Sequence, residues 1–202
     1  MKLWRGKHPL ILASQSQARQ ALLANAGIAF EAVAADIDER AVQQDSGLTA
    51  PGEIAALLAR EKALSVSARQ KGRLVAGADQ TLALGFRLFS KPADRIQAKE
   101  QLRALAGRGH ELHSAVAVTR DGAILFEAAT TARMTMRQLG EAEIDAYLDA
   151  AGEAVSSSVG GYQLEGLGIH LFERIEGDHF TILGLPLLPL LAFLRSERLL
   201  AV

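Results

Sequence analysis

Apolar residues fall in short continuous runs along this chain, separated by segments with a helical period. Leu10-Ile11-Leu12-Ala13 is such a run, as expected for a strand buried on both faces. Ser14-Gln15-Ser16-Gln17 breaks it, and Ala18 to Ala26 then predicts a helix ending at Gly27, a natural C-cap. Ile28 to Val33 reads as the next strand and Asp36-Ile37-Asp38-Glu39-Arg40 as an acidic loop. Gly52 to Arg69 reads as a helix with Ile54, Leu57, Leu58 and Leu64 on one side. Leu74-Val75-Ala76 is another buried strand, ending in Gly77-Ala78-Asp79-Gln80, and Leu82 to Leu88 a strand with a turn at Gly85. After the breaker Ser90-Lys91-Pro92, Asp94 to Ala106 predicts a helix with Asp94 at its N-terminus. Glu111 to Thr119 and Ile124 to Met136 form a hairpin around Asp121-Gly122. Glu141 to Ala150 is a helix, Val159 to Gly168 is glycine-rich, Ile169 to Ile175 is a last strand and Leu187 to Leu199 a last helix.

Strands that alternate with helices early, followed by a long hairpin, predict an α/β fold with a mixed twisted sheet and flanking helices. No internal repeat and no Pro/Gly linker divides the 202 residues, so a single domain over 1–202 is expected, any two lobes sharing the sheet. Lys plus Arg is 22 and Asp plus Glu is 23, a net charge of −1, which argues against a nucleic-acid polymer as partner. With no cysteine there is no disulfide framework and no Cys nucleophile. The apolar run after the basic start is too short for a secretory h-region, and Ile182 to Leu194, with Pro186 and Pro189, is too short to span a membrane. A cytoplasmic protein without a membrane partner is the expectation.

Polar clusters fall just after the predicted strands, where open α/β sheets bind ligands. Ser14, Ser16 and Arg19 offer hydroxyls, free N–H groups at a helix start and a guanidinium, which suit a phosphate; an ordinary Ser N-cap is the plainer reading. Asp36, Asp38 and Glu39 offer carboxylates for Mg²⁺, or a solvated acidic loop. Asp79, following a buried strand among small residues, is placed to hold a metal or take a proton from an attacking water. Lys62 and Lys91 offer charge for a phosphate. His110 and His113 fall on opposite faces of a strand, and none of the five histidines has a partner at ligand spacing.

Together these clusters resemble the Maf family of nucleotide pyrophosphatases, over nearly the whole chain from Leu10 to about Arg195. Leu10 to Ser16 is similar to the family's strand and Ser-x-Ser-Pro-Arg-Arg loop, Asp38-Glu39 to its acidic pair, and Ala59-Arg60-Glu61-Lys62-Ala63 to its helix motif. Gly77-Ala78-Asp79-Gln80, Lys91-Pro92, the stretch Gly160 to Gly168, and Gly184-Leu185-Pro186-Leu187 resemble the later motifs. The resemblance implies hydrolysis of a nucleoside triphosphate between the α and β phosphates, giving a monophosphate and pyrophosphate. It also implies a two-lobed fold around a cleft, a divalent cation (Mg²⁺ or Mn²⁺), a homodimer, a house-cleaning role on modified nucleotides and a link to cell-division arrest. Asp79 matches the family's proton acceptor, Lys62 and Lys91 its catalytic lysines, Ser14, Ser16 and Arg19 its phosphate site, and Glu39 with Asp79 its metal site.

Departures bear on the substrate. Gln17-Ala18 stands where the family has Pro-Arg, and Ser158 where it has a lysine. At the base-facing positions this chain carries Ala18, Gln80 and Glu165. Gln and Glu match the group linked to 7-methyl-GTP, whereas the pyrimidine group carries Arg, Thr and Gln. A guanine edge offers two adjacent N–H donors that the Glu165 carboxylate would accept; an amide suits uracil or thymine better. Ala18, however, removes the ring that would stack on a methylated base. Glu165 would otherwise bind metal, or pair with Arg174 or a backbone group. Two alternatives are a non-catalytic nucleotide-binding regulator of septum formation and an inosine/xanthosine triphosphate pyrophosphatase, which opens on a Thr/Asn-Lys motif that this chain lacks.

Overall fold

The computed structural model describes residues 3–202. Seven strands form one mixed sheet: β1 (Leu10–Ala13), β2 (Phe30–Ala32), β3 (Val75–Leu84), β4 (Arg87–Phe89), β5 (Gly109–Arg120), β6 (Ala123–Met136) and β7 (Phe172–Glu176). Their order is β2-β1-β3-β5-β6-β7, with β4 paired to β3. β1 runs parallel to β2 and β3, whereas β3–β4 and β6–β7 are antiparallel. The helices are α1 (Gln17–Asn25), α2 (Glu39–Ser46), α3 (Pro51–Ser67), α4 (Arg95–Leu105), α5 (Glu141–Ala151), α6 (His179–Ile182) and α7 (Leu187–Ser196). The α/β fold with a mixed sheet is therefore the one the patterning predicts.

Several predicted boundaries change, three of them notably. The acidic loop turns into α2, because Asp38 caps a helix start through bonds from the N–H groups of Arg40 and Ala41. β3 does not stop at Ala76 but continues through Gly77-Ala78-Asp79-Gln80 to Leu84. The last strand begins at Phe172, Leu167–Leu171 being a 3-10 turn.

The chain divides into two compact units. One holds the chain through Gln80 with His113–Thr130 and His179–Val202; the other holds Thr81–Leu112 and Thr131–Asp178. In the first unit, one face of the sheet packs Leu10, Leu12, Val116 and Val118 against Leu22 and Leu23 of α1 and Leu190 and Leu194 of α7. On the other face, Ala115 and Ala117 of β5 meet Ala55, Ala59 and Ala63 of α3, and Ile11 and Val75 pack with Val66 of α3. Small side chains on both partners let a helix lie close on a strand, and this closeness sets the position of α3.

In the second unit Asp94 caps α4, its carboxylate accepting from the Gln97 N–H at 2.8 Å, as the sequence predicts. An ion-pair ladder joins α4 to α5: Arg95 to Asp149, Lys99 to Asp145, and Arg103 to Glu141. In the same unit His110 is buried, its Nε2 2.7 Å from the Tyr162 hydroxyl and its ring beside Tyr162 and Phe172. Burial lowers the His110 pKa from 6.5 to about 4. Between those values the unfolded chain binds more protons than the folded one, so stability present at neutral pH is lost as pH falls. Denaturant unfolding at pH 7 and pH 4 is expected to show a loss from this residue of up to about 3 kcal/mol. His110→Gln should flatten that part of the pH dependence, and an unchanged slope would assign it elsewhere.

Candidate active site

The first unit assembles its polar cluster from four places in the sequence. At the end of β1, the Ser14 hydroxyl oxygen accepts from the Ser16 N–H and from Arg19 Nη1, both at 3.2 Å. Ser16 caps α1 by accepting from the Arg19 N–H at 3.5 Å. The N–H groups of Gln17 and Ala18 in the first turn have no intrahelical partner and face outward from the helix start, as anion sites require. Arg19 is more than a surface cation. Its Nη1 also donates to the Ala78 carbonyl and its Nε to the Gly184 carbonyl, each at 2.8 Å. Burial lowers its pKa, opposed by the charges of Asp79 and Glu39. Gly184 has φ +89, and a Cβ there would sit 3.2 Å from Arg19 Nε, so the turn and the guanidinium are fitted to each other.

Asp79 lies inside β3 rather than after it. Two residues earlier, the backbone at Gly77 touches α3: an added Cβ would lie 2.2 Å from the Ala59 carbonyl oxygen and 2.5 Å from the Ala63 nitrogen. That contact brings Lys62 beside Asp79. Lys62 Nζ donates to Asp79 Oδ1 at 2.5 Å and pairs with Glu39 Oε1 at 2.8 Å, so two carboxylates meet on one ammonium. Lys62 and Asp79 are 8% and 6% exposed, too dry for either charge without its partner. Burial pushes the Asp79 carboxyl up, while Lys62 and Arg19 oppose the shift.

Of the acidic stretch, only Glu39 enters this cluster. Asp38 is spent on capping α2, and Asp36 pairs with Arg69 at 3.0 Å. Gln80 points to the opposite face of β3, as alternation demands. Its Nε2 lies 3.0 Å from each of three acceptors, Ser114 Oγ and the carbonyls of Thr181 and Ile182, leaving its carbonyl as the unengaged end. Ser114 and Thr181 carried no signal in the sequence, and Ala78 and Gly184 appeared only within motifs, not as partners of Arg19. Ala78, Thr181 and Gly184 act through backbone carbonyls, which carry no residue signature.

Lys91, Ser158 and Glu165 belong to the second unit. Lys91 follows β4 and is exposed, as is Glu165. Arg174 is paired with Glu176 at 2.9 Å, so the pairing of Glu165 with Arg174 is not formed. Among the described residues no His, Cys, Asp or Glu joins Glu39 and Asp79 to make a group of three. Two carboxylates still suit Mg²⁺, which keeps several waters and takes its remaining ligands from substrate phosphates. The donor set fits a cation brought with a phosphorylated substrate, not one caged by protein alone.

A family model and relatives by sequence point to one family. The model of the Maf-like proteins matches residues 9–197. A protein of Bradyrhizobium diazoefficiens named nucleoside triphosphate pyrophosphatase is 72% identical over 202 residues, the whole of both chains. One of the same name from Rhodopseudomonas palustris (strain BisB18) is 69% identical over 201 residues, again across both chains. A Brucella abortus protein named 7-methyl-GTP pyrophosphatase is 52% identical over 94% of this chain and 96% of its own. No helix among the described residues is long and apolar enough to cross a membrane. With a family match over nearly its full length and relatives at this identity, the chain belongs to the Maf family.

Proposed function

We propose that this chain hydrolyses a nucleoside triphosphate between its α and β phosphates, releasing a nucleoside monophosphate and pyrophosphate. The observation that carries this reading is the buried Lys62 ammonium shared by Asp79 and Glu39, in the unit that also holds the Ser14–Arg19 loop. Asp79 takes the proton of the attacking water. A carboxylate raised by burial is a better base than an exposed one, and the charges of Lys62 and Arg19 favour its ionised form. Ser14, Ser16 and the open N–H groups of α1 receive phosphate oxygens, and Arg19 fixes that loop while adding positive charge. Lys62 balances charge that builds on the leaving pyrophosphate, and Lys91 is assigned to phosphate by its Lys-Pro motif alone. A divalent cation held by Glu39 and Asp79 would supply charge neutralisation across the phosphates. Positioning and electrostatics suffice for such chemistry, so no covalent nucleophile is required.

For the base, Glu165 is the residue that favours a guanine-type edge, its carboxylate accepting two adjacent N–H donors. Within the first unit, the Gln80 amide has its N–H end engaged by three acceptors and keeps its carbonyl as an acceptor for substrate. The 52% identity to a 7-methyl-GTP pyrophosphatase supports the same choice. By the same family argument we propose a cytoplasmic homodimer that clears modified nucleotides, with a role in division arrest.

Incubation with standard and modified triphosphates plus Mg²⁺ or Mn²⁺ tests the activity by pyrophosphate release. No release from any nucleotide would overturn it in favour of a binding-only regulator. Glu165→Gln is expected to lower kcat/KM for guanine nucleotides relative to uracil ones by roughly tenfold, about 1.4 kcal/mol. An unchanged ranking would show that Glu165 does not read the base.

A further inference from the structure

Glu39 reaches Lys62 only because the chain turns sharply between β2 and α2, and the turn contains a strained residue. Asp36 has φ 50, a left-handed conformation that costs a non-glycine residue roughly 1 kcal/mol. Two residues near the C-terminal end of α3 hold it there. Ser65 Oγ donates to the Ala35 carbonyl at 2.5 Å. Arg69 Nη2 donates to the carbonyls of Ala34 and Ala35 at 3.0 and 3.3 Å, and Nη1 to Asp36 Oδ2 at 3.0 Å. Three carbonyl contacts and one carboxylate contact thus converge on three successive residues. Lys62, Ser65 and Arg69 are spaced by three and four positions, so they lie along one side of α3 and its terminal turn. The side that carries Lys62 to Asp79 therefore also carries the clamp that delivers Glu39 to Lys62.

We infer that Arg69, assisted by Ser65, is a positioning residue for Glu39: it sets the turn at Asp36 so that the start of α2 presents the Glu39 carboxylate to the cation site. An exposed Arg–Asp ion pair alone contributes little. The bonds to backbone carbonyls matter more, because they fix chain direction and cannot follow a side chain that swings away. The inference rests on the pyrophosphatase reading for its kinetic consequences but not for its structural one.

The test uses Arg69→Ala, Arg69→Lys and the double variant Arg69→Ala/Asp36→Gly, read in two ways. Hydrogen exchange of the metal-free protein reports the turn directly: amides at the start of α2 should exchange faster in Arg69→Ala. Kinetics report its use: the Mn²⁺ concentration for half-maximal pyrophosphate release should rise roughly tenfold, as when a ligand loses its outer support. KM for the nucleotide at saturating Mn²⁺ should stay within about twofold, because uniform substrate binding is untouched. Glycine at position 36 removes the strain, so the double variant should recover much of both readouts, whereas lysine, which has no forked donor set, should recover little. Unchanged exchange and an unchanged Mn²⁺ requirement in Arg69→Ala would overturn the inference, and so would failure of glycine to rescue. Should wild type release no pyrophosphate at all, the activity reading fails, and the exchange data alone decide the clamp.

Discussion

Asp79→Asn is expected to lower kcat for pyrophosphate release by roughly a thousandfold, within the range a positioned general base contributes. Asparagine keeps the volume and one oxygen for Lys62, so the site should remain assembled while losing its proton acceptor. Two controls separate chemistry from folding. Thermal unfolding of the variant should occur at a lower temperature than in wild type, because the nearly dry Lys62 ammonium is left with Glu39 as its one charged partner, so kcat is compared where circular dichroism shows both proteins folded. The pH profile is more specific. Wild-type activity should fall on the acid side as Asp79 protonates, at a pH above the ordinary carboxylate range, because burial raises its pKa and the ionised form is the active one. The residual activity of Asp79→Asn should lack that limb. Release that survives the substitution unchanged would remove Asp79 from the role of base.

The second large effect is expected at a residue with no side chain. Gly77→Ala would place a Cβ 2.2 Å from the Ala59 carbonyl oxygen, 2.5 Å from the Ala63 nitrogen and 2.9 Å from the Ala63 Cβ. All three obstacles are backbone or Cβ atoms, so no rotamer change relieves the clash; helix and strand must separate. Overpacking of a close-packed interior costs typically 1–3 kcal/mol, and a rigid backbone contact puts this case at about 3 kcal/mol or more. The functional loss should exceed the loss in stability. Moving α3 off β3 lengthens the 2.5 Å contact between Lys62 and Asp79, which leaves two nearly dry charges without each other. Denaturant titration together with pyrophosphate release under folding conditions checks this. A variant as stable and active as wild type would show that the close approach of α3 to β3 is not needed.

The two predictions mark different degrees of legibility in the sequence. Asp79 could be singled out because a carboxylate among small residues beside a buried apolar run is costly unless used. Ser14, Ser16 and Arg19 stood out by their spacing at a helix start. Gly77 appeared only as part of a motif, because the need for glycine there arises from a helix that is distant in sequence. Glu39 could not be told from Asp36 and Asp38 by composition. Only the turn at Asp36 and the cap at Asp38 assign the three carboxylates to different tasks. The prediction that β3 ends before Asp79 missed for a related reason: pairing with β4, at Leu82–Phe89 and Leu84–Arg87, carries the strand onward.

The sequence by itself determined the α/β class, the strand–serine loop–helix opening, the hairpin at Asp121-Gly122 and the residue types available for chemistry. Each of these follows from local periodicity, capping or turn preference. Tertiary structure alone decided that Lys62 lies between Glu39 and Asp79, that Arg19 is held by the carbonyls of Ala78 and Gly184, and that Gln80 faces away from Asp79. These contacts join residues distant along the chain, and many run through backbone carbonyls that every residue possesses. Local pattern cannot encode which carbonyl a guanidinium will find; the packing of alanine on alanine between α3 and the sheet does.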